Sequence, residues 1–167
     1  MRKSIKFKVT ILAAVLSLAG ITRAHSFGLG AQFNFSTGGI FAPGASLLIS
    51  PGNRTHLAVN WYLDFENVNI IGLTLDVCPI TLPIIPFGIG SFNITLGAGI
   101  YSHVIITDDP GFSGGFRIPA GFSFLLGPRV FEIFTHVAPS FGLRFLPSLG
   151  FSHVFFPCAL GARLWFR

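Results

Sequence analysis

Apolar and polar side chains alternate one residue at a time through most of this chain, and this alternation constrains the fold more than any other feature. It is clearest close to the C terminus. One face there is apolar: Val154, Phe156, Cys158, Leu160, Ala162, Leu164 and Phe166. The other face is small, polar or amphipathic: His153, Pro157, Ala159, Gly161, Arg163 and Trp165. Because successive side chains of a strand point to opposite faces, the pattern predicts β-strands with lipid on one side and a polar interior on the other.

The first 24 residues have the features of a secretory leader. Basic residues come first, at Arg2, Lys3, Lys6 and Lys8. An apolar run follows at residues 9–21, and Thr22-Arg23-Ala24 places small residues where a signal peptidase cleaves. The run is shorter than the roughly 20 residues that a membrane-spanning helix needs. We therefore expect residues 1–24 to be a signal peptide and residues 25–167 to form one exported barrel domain.

The basic excess of the chain belongs to this leader. The chain has 11 basic and 6 acidic residues, and five of the basic ones lie before residue 25. The remainder has a net charge of about zero, so a nucleic-acid partner has no electrostatic basis and is excluded. So few charges also cannot solvate the exterior of a soluble domain, where about a quarter of residues are normally charged.

A closed β-barrel fits the remaining chain. Glycine, proline and polar residues interrupt every later apolar run before it could span a membrane as a helix. A barrel is the other fold that satisfies its backbone in hydrocarbon. The alternation predicts strands near residues 27–36, 42–50, 55–65, 68–80, 90–105, 115–126, 130–145 and 151–166. The predicted fold is an all-β, eight-stranded antiparallel up-and-down transmembrane β-barrel, whose interior is filled by side chains at this size.

The turns between these strands fall into two sets. If both ends of the domain lie in the periplasm, residues 51–53, 81–87 and 127–129 form periplasmic turns. Residues 36–39, 64–67, 107–114 and 146–149 then form turns at the outer surface. Nearly all are short, which leaves little surface for a protein partner.

The alternation assigns each strand residue to lipid or to the lumen. The lipid-facing set is apolar: Phe27, Leu29, Phe33, Phe35, Leu57, Val59, Trp61, Leu63, Leu73, Leu75, Val77, Ile94, Leu96, Ala98, Ile100, Phe116, Ile118, Phe122, Phe124, Ile133, Val137, Phe141 and Leu143. The lumen-facing set is polar or charged: Gln32, Asn34, His56, Asn60, Asp64, Asp76, His103, Arg117, Glu132, His136, Arg144, His153 and Arg163. Glycines such as Gly97 and Gly99 fall on the lumen side and leave room for longer side chains.

Seven lumen residues form a predicted interior polar network: Asp64, Asp76, His56, Arg117, Glu132, Arg144 and Arg163. Antiparallel pairing across the turn at residues 146–149 places Glu132 beside Arg163, and we expect an ion pair there. Pairing across residues 66–67 places His56 beside Asp76.

The same pairing sets Asp64 at the level of Arg117 and Arg144. We interpret the whole network as a structural polar plug, because buried charges are costly unless they are paired.

Three prolines complicate the later strands. Proline cannot donate to a strand ladder and is normally kept to edges or bulges. Pro119, Pro139 and Pro157 fall at nearly the same level under the pairing rule. We expect one aligned band of bulges there, where a slip in register would exchange inward and outward faces.

Catalytic and metal sites find little support in the residue pattern. Lipid A deacylases of this size carry a His-x-Ser element, and no histidine here has serine two residues on. The inward histidines lie on separate strands without the close spacing of a zinc site. We therefore expect no enzyme, no metal site and no cofactor.

The two cysteines are expected to stay free. Alternation directs Cys78 to the lumen and Cys158 to lipid, on strands at opposite sides of the barrel. A disulfide is chemically permitted in an oxidising compartment, but this geometry opposes it.

Four segments carry a resemblance to a known family: GFRIPAGFSF at residues 115–124, FEIF at 131–134, VAPSFGL at 137–143 and ALGARLWF at 159–166. They resemble small spirochaetal outer-membrane β-barrel proteins, whose architecture is similar to the OmpA and OmpX membrane domains. The resemblance implies an eight-stranded barrel that the barrel-assembly machinery recognises by a C-terminal strand ending in an aromatic residue. Here Phe166 is penultimate and Arg167 is last.

Two classes of function remain open at this stage. The first is a non-enzymatic, monomeric bacterial outer-membrane barrel, in contact with outer-membrane lipid, that has an envelope-structural or surface-interaction role or forms a narrow pore. The second is a soluble periplasmic carrier of the lipocalin kind, whose phenylalanine-rich face would turn inward around an apolar ligand. The polarity of the outer face distinguishes them.

Overall fold

A computed structural model of the chain describes residues 26–37, 43–63, 69–106, 110–127, 130–152 and 154–166. The expected leader, Asp64 and His153 lie outside these residues. The described residues form eleven strands: β1 (Phe27–Thr37), β2 (Gly44–Gly52), β3 (Thr55–Leu63), β4 (Asn69–Phe87), β5 (Gly90–Ile106), β6 (Gly111–Arg117), β7 (Ala120–Leu126), β8 (Phe131–Val137), β9 (Ser140–Leu146), β10 (Gly150–Phe151) and β11 (Phe156–Phe166). Among the described residues, no helix is long and apolar enough to cross a membrane.

The strands pair antiparallel into a closed barrel. From β1 to β5 each strand pairs with the next one along the chain. β6 and β7 both pair with β5 and are two halves of the sixth barrel strand. β8 and β9 likewise form the seventh barrel strand, and β10 and β11 the eighth. Because β11 pairs with β1, the barrel closes with eight strands, which confirms the predicted fold.

Three prolines interrupt the last three barrel strands at one common level. Their carbonyl oxygens accept hydrogen bonds from the neighbouring strands: Gly97 N donates to Pro119 O at 2.9 Å, Ile118 N to Pro139 O at 3.0 Å and Ala138 N to Pro157 O at 2.8 Å. The aligned band expected from the sequence is therefore present. Each proline removes one N–H from the ladder but leaves its acceptor in place.

The prediction that these prolines mark β-bulges is wrong. β5 pairs Gly99 with Arg117 on one side of the band and Leu96 with Ala120 on the other, which is a single register. A bulge would add a residue to one strand and shift the pairing. The register is also unchanged across Pro139 and across Pro157. The inward and outward faces consequently stay the same across the band, and the register shifts by one residue only beyond it, between Phe151 and Phe155.

The fourth and sixth barrel strands are longer than predicted. β4 continues through residues 81–87, which were expected to form a turn, and pairs with β5 as far as Phe87 opposite Gly90. β6 begins at Gly111 rather than at residue 115. The prolines of β4 gave a misleading turn signal. Beyond Val77, β3 supplies no partner for β4, and proline is tolerated on such an edge.

The two faces of the barrel differ in polarity as predicted. Phe116 on the outward face exposes 62% of its surface, whereas the adjacent Arg117 on the inward face exposes 5%. Two inward glycines provide the space for lumen side chains. A Cβ at Gly99 would collide with the carboxylate of Asp76, and one at Gly161 would collide with the ring of Phe134.

The polarity of the outer face generates a stability test. Val59 lies on the outward face near the middle of β3 and is exposed. In a membrane-spanning barrel, Val59→Arg places a charge in hydrocarbon and should lower the free energy of unfolding by about 2–4 kcal/mol. Urea unfolding in lipid vesicles measures this loss.

Val130→Arg is the matched control, because Val130 is exposed in the turn before β8. It should change the free energy of unfolding by less than about 0.5 kcal/mol. Equal, small effects of both substitutions would contradict a lipid-facing surface at Val59.

Candidate functional site: two luminal carboxylate–arginine–histidine groups

The first charged group of the lumen is centred on Arg163. Its Nε donates to Glu132 Oε2 at 3.1 Å, and both side chains are buried. Its Nη1 donates to Ser50 Oγ at 2.8 Å and lies 2.5 Å from His56 Nδ1. Arg163 and Glu132 are register partners on β11 and β8, as antiparallel pairing predicts. Glu132, Arg163 and His56 are called the Glu132 group below.

Aromatic rings hold the Arg163 guanidinium in place. Its Cζ lies 4.8 Å from the centroid of Phe134 and 4.9 Å from the ring of Trp165, at distances where ring faces attract cations. Trp165 Nε1 also donates to Glu132 Oε2 at 2.8 Å. The carboxylate oxygen therefore accepts from two donors, which offsets the cost of burying its charge.

A second charged group also combines a carboxylate, an arginine and a histidine. Arg117 Nε lies 3.2 Å from Asp76 Oδ1, and both side chains are buried. Arg117 Nη2 lies 3.3 Å from His136 Nε2. Arg117 Nε and Asp76 Oδ1 face each other without an aligned hydrogen bond, so their attraction is mainly coulombic. Asp76, Arg117 and His136 are called the Asp76 group below.

The two groups meet at His56. His56 is the register partner of Asp76, which the pairing of β3 with β4 predicts. Its Nδ1, however, points to Arg163 of the other group. In both groups a histidine nitrogen faces an arginine N–H donor and must accept from it. Each histidine therefore acts as a neutral acceptor that completes an arginine's contacts.

Ser50 and His56 form a serine–histidine pair that sequence reasoning missed. Ser50 Oγ lies 3.0 Å from His56 Nδ1. A nucleophilic serine needs an available base and access to substrate. The same nitrogen of His56 already faces Arg163, and Ser50 has no exposed surface. The pair is therefore structural. Alternation places Ser50 inward, but β1 lies between β11 and β2, so the pairing of adjacent strands does not predict the contact of Arg163 with Ser50.

Two members of the predicted network do not join these groups. Asp64 lies outside the described residues. Arg144 lies on the exposed part of β9 and donates to the backbone oxygen and Oγ of Ser148, each at 3.4 Å. The register pairs Arg144 with Ser113 but Arg117 with Ser140, so the expected common level of Arg117 and Arg144 is wrong. Arg144 lies four residues beyond Ser140 on β9, in a stretch whose side chains are exposed.

Uncharged side chains fill the lumen beside the charged groups. A hydrogen-bonded chain crosses three strands: Gln32 Nε2 donates to Asn34 Oδ1 at 2.7 Å, Asn34 Nδ2 donates to Ser46 Oγ, and Ser46 Oγ donates to Asn60 Oδ1 at 2.6 Å. All four residues are buried. The inward positions of β1, β2 and β3 are thus occupied by a neutral polar layer.

An aromatic cluster fills another level of the lumen. Tyr101 and His103 have ring centroids 5.0 Å apart, Tyr62 lies 5.6 Å from His103, and Phe155 lies 5.2 Å from Tyr101. These residues lie toward the barrel end opposite Phe27 and Phe166, the strand ends that define the termini end. The cluster and the charged groups thus occupy different levels of the lumen.

A cavity of about 550 Å³ extends from the termini end of the barrel alongside the charged groups, whose side chains line it. Its lining includes Ser26 and Asn53 at the termini end and reaches inward to Asp76 and Glu132. Cys78 also lines it, whereas Cys158 lies on the outward-facing parity of β11. Both cysteines are free, as predicted. Among the described residues, no cluster of three or more His, Cys, Asp and Glu side chains could hold a metal ion.

Comparison with known proteins gives structural likenesses only. No protein-family model matches the chain, and no curated protein sequence matches it. The chain is similar to the N-terminal β-barrel domain of Pseudomonas aeruginosa OprF, with 16% identity, a TM-score of 0.47 and coverage of 86% of this chain and 98% of that one. It is also similar to Neisserial surface protein A, with 10% identity, a TM-score of 0.49 and coverage of 84% and 96%.

A third similar structure is Ail, the attachment invasion locus protein of Yersinia pestis. The identity is 15%, the TM-score is 0.42, and the match covers 84% of this chain and 97% of that one. The spirochaetal subtype expected from the sequence resemblance receives no support from these comparisons.

The Glu132 group predicts a large effect of neutralising its acid. Glu132→Gln leaves the buried Arg163 without a carboxylate, which typically costs about 3–5 kcal/mol. Urea unfolding of the detergent-folded protein, followed by tryptophan fluorescence, measures the loss. Arg144→Gln is the control, because Arg144 is exposed, and its effect should stay within about 0.5 kcal/mol. A Glu132→Gln variant as stable as the wild type would remove the case for this ion pair.

Proposed function

We propose that this chain is an integral bacterial outer-membrane β-barrel protein with a structural role in the envelope. The observation that supports this most is the apolar outward face, which runs around all eight barrel strands. Its members include exposed side chains on opposite sides of the barrel, such as Phe33, Trp61, Ile100 and Phe141. Burying such a surface in lipid removes it from water, whereas a soluble monomer rarely exposes so large an apolar area.

The soluble carrier requires the opposite arrangement. A lipocalin-like barrel holds an apolar ligand against an apolar interior and presents a charged exterior. Here the interior contains two ion pairs, Arg163 with Glu132 and Arg117 with Asp76. The large phenylalanines face outward. The polarity of both faces of the barrel therefore favours the membrane barrel over the carrier.

Export and assembly belong to the same proposal. The leader-like residues 1–24 support export, and the aromatic Phe166 near the end of β11 supports recognition by the barrel-assembly machinery. Closure of β11 on β1 leaves no free edge at that seam, which supports a monomer. The charged side chains of the lumen contact one another, which supports a non-enzymatic role.

A blocked lumen is part of the proposed role. The aromatic cluster, the Asp76 group and the Glu132 group lie along the path through the barrel. Interiors of eight-stranded barrels are filled by side chains, so no wide channel is expected. The cavity at the termini end favours a narrow ion leak as a second candidate, because it brings solvent space up to the charged groups.

Membrane integration is tested by heat modifiability and fractionation. The protein folded into detergent should migrate differently on an SDS gel before and after boiling, because a closed barrel resists SDS until it is heated. Full-length protein expressed in a Gram-negative host should appear in the outer-membrane fraction. A detergent-free soluble monomer without a heat-dependent shift would overturn the proposal.

Conductance in planar lipid bilayers separates a blocked lumen from a leak. The wild type should show no resolved openings, because both charged groups occupy the lumen. Glu132→Ala combined with Arg163→Ala removes both charges together and leaves no uncompensated ion, so the barrel should still fold. This double variant should conduct more than the wild type. The control variant is Gln32→Ala. Frequent channel openings of the wild-type protein would favour the narrow pore.

A further inference from the structure

The hairpin that joins β4 to β5 extends beyond the neighbouring strand β3. The pairing of β3 with β4 ends where Thr55 faces Val77, followed by a hydrogen bond from Cys78 N to Arg54 O at 2.7 Å. From Ile80 to Phe87, β4 has register partners only on β5. We call residues 79–89 the hairpin extension. The edge of β4 that faces away from β5 therefore has no register partner within the hairpin extension.

The hairpin extension exposes large apolar side chains: Ile80 44%, Leu82 58%, Ile84 47%, Ile85 57% and Ile89 70%. The register places Ile80 opposite Leu96 and Leu82 opposite Ile94, which are outward-facing and exposed. The apolar outer face of the barrel therefore continues without a break onto this hairpin.

Neighbouring aromatic rings widen the same surface. Ile85 pairs with Phe92, whose ring centroid lies 5.5 Å from that of Phe122 and 5.1 Å from that of Phe124. Phe122 and Phe124 lie on the outward face of β7 and are exposed. The patch thus extends across β4, β5 and β7 at the termini end of the barrel.

Charge is missing from the sequence of this hairpin. Residues 77–106 contain no Asp, Glu, Lys or Arg. The turn between β2 and β3, at the same end, carries the exposed Arg54. A hairpin that stood free in water would keep several exposed isoleucines hydrated, which is unfavourable relative to burying them in an apolar environment.

We propose that the hairpin extension binds the lipid surface at the termini end of the barrel and lies at the boundary between headgroups and acyl chains. This rests on the proposed membrane function, and continuity with the outward apolar face supports it. The free edge of β4 determines how deeply the hairpin extension lies in the membrane. Its unpaired backbone groups would be costly in hydrocarbon but find water among headgroups.

The prolines of the hairpin extension favour lipid over a protein strand as the occupant. A free edge normally invites pairing with another chain. Pro79, Pro83 and Pro86 remove three N–H donors from this short stretch, so it forms a poor template for β-pairing. The absence of charge also gives a protein partner no ionic complement to recognise.

Spin-label accessibility tests the proposal. In a Cys78→Ser, Cys158→Ser background, a nitroxide is attached at Leu82→Cys and the protein is reconstituted into phosphatidylcholine–phosphatidylglycerol vesicles. Collision rates with oxygen, which concentrates in lipid, are compared with those of a polar nickel chelate. Val59→Cys is the lipid control and Asn53→Cys the aqueous control. The oxygen-to-nickel ratio at Leu82 should lie several-fold above that at Asn53 and approach that at Val59.

Each other outcome overturns the proposal in a distinct way. A ratio at Leu82 equal to that at Asn53, with Val59 in lipid, places the hairpin extension in water and leaves the membrane barrel intact. Protection from both reagents with dipolar broadening shows a second copy on this surface. A water-like ratio at Val59 refutes the membrane function itself. A label at Ile85→Cys repeats the measurement if the Leu82 variant fails the heat-shift test for folding.

Discussion

Two arginines buried in a barrel lumen remain charged only beside carboxylates, and this requirement governs much of the structure. Arg163 meets Glu132 across β11 and β8, and Arg117 meets Asp76 across the intervening β5, only if five strands hold one particular register. A slip of one residue in register would exchange the inward and outward faces of a strand and direct these charges into lipid. The apolar outer face and the polar lumen are therefore two consequences of the same pairing. Each histidine then adds an acceptor that the arginines would otherwise lack.

Small residues make this arrangement sterically feasible. An eight-stranded barrel has an interior only wide enough for side chains to fill. The carboxylate of Asp76 occupies the space that a side chain at Gly99 would fill, and the ring of Phe134 occupies the corresponding space at Gly161. The ring of Phe134 in turn covers the guanidinium of Arg163. Glycine on one strand thus allows a large or charged side chain on the next, so the alternation of small and large residues is part of the charge network.

The sequence predicts contacts that pairing between adjacent strands controls, but not contacts between strands that are not adjacent. Alternation and turn positions were sufficient for the barrel, for both faces and for the partnership of Glu132 with Arg163. The contact of Arg163 with Ser50 and His56 joins strands that are not adjacent, so no register contains it. Arg144 lies away from the Asp76 group because the register of β9 with β6 places it four residues beyond the partner of Arg117. Both of these failures concern three-dimensional position rather than residue type.

The prolines gave the most misleading sequence signals, and the reason lies in hydrogen bonding. Pro119, Pro139 and Pro157 look like bulges, yet a ladder continues in register when a proline still offers its carbonyl oxygen. Pro83 and Pro86 resemble a turn, yet they occupy a strand whose outer edge lacks a partner in the barrel. At that edge a missing N–H disrupts no pair within the protein. It also removes a donor that another chain would use for β-pairing. The prolines that make this strand resemble a turn in the sequence therefore also protect its free edge from β-pairing.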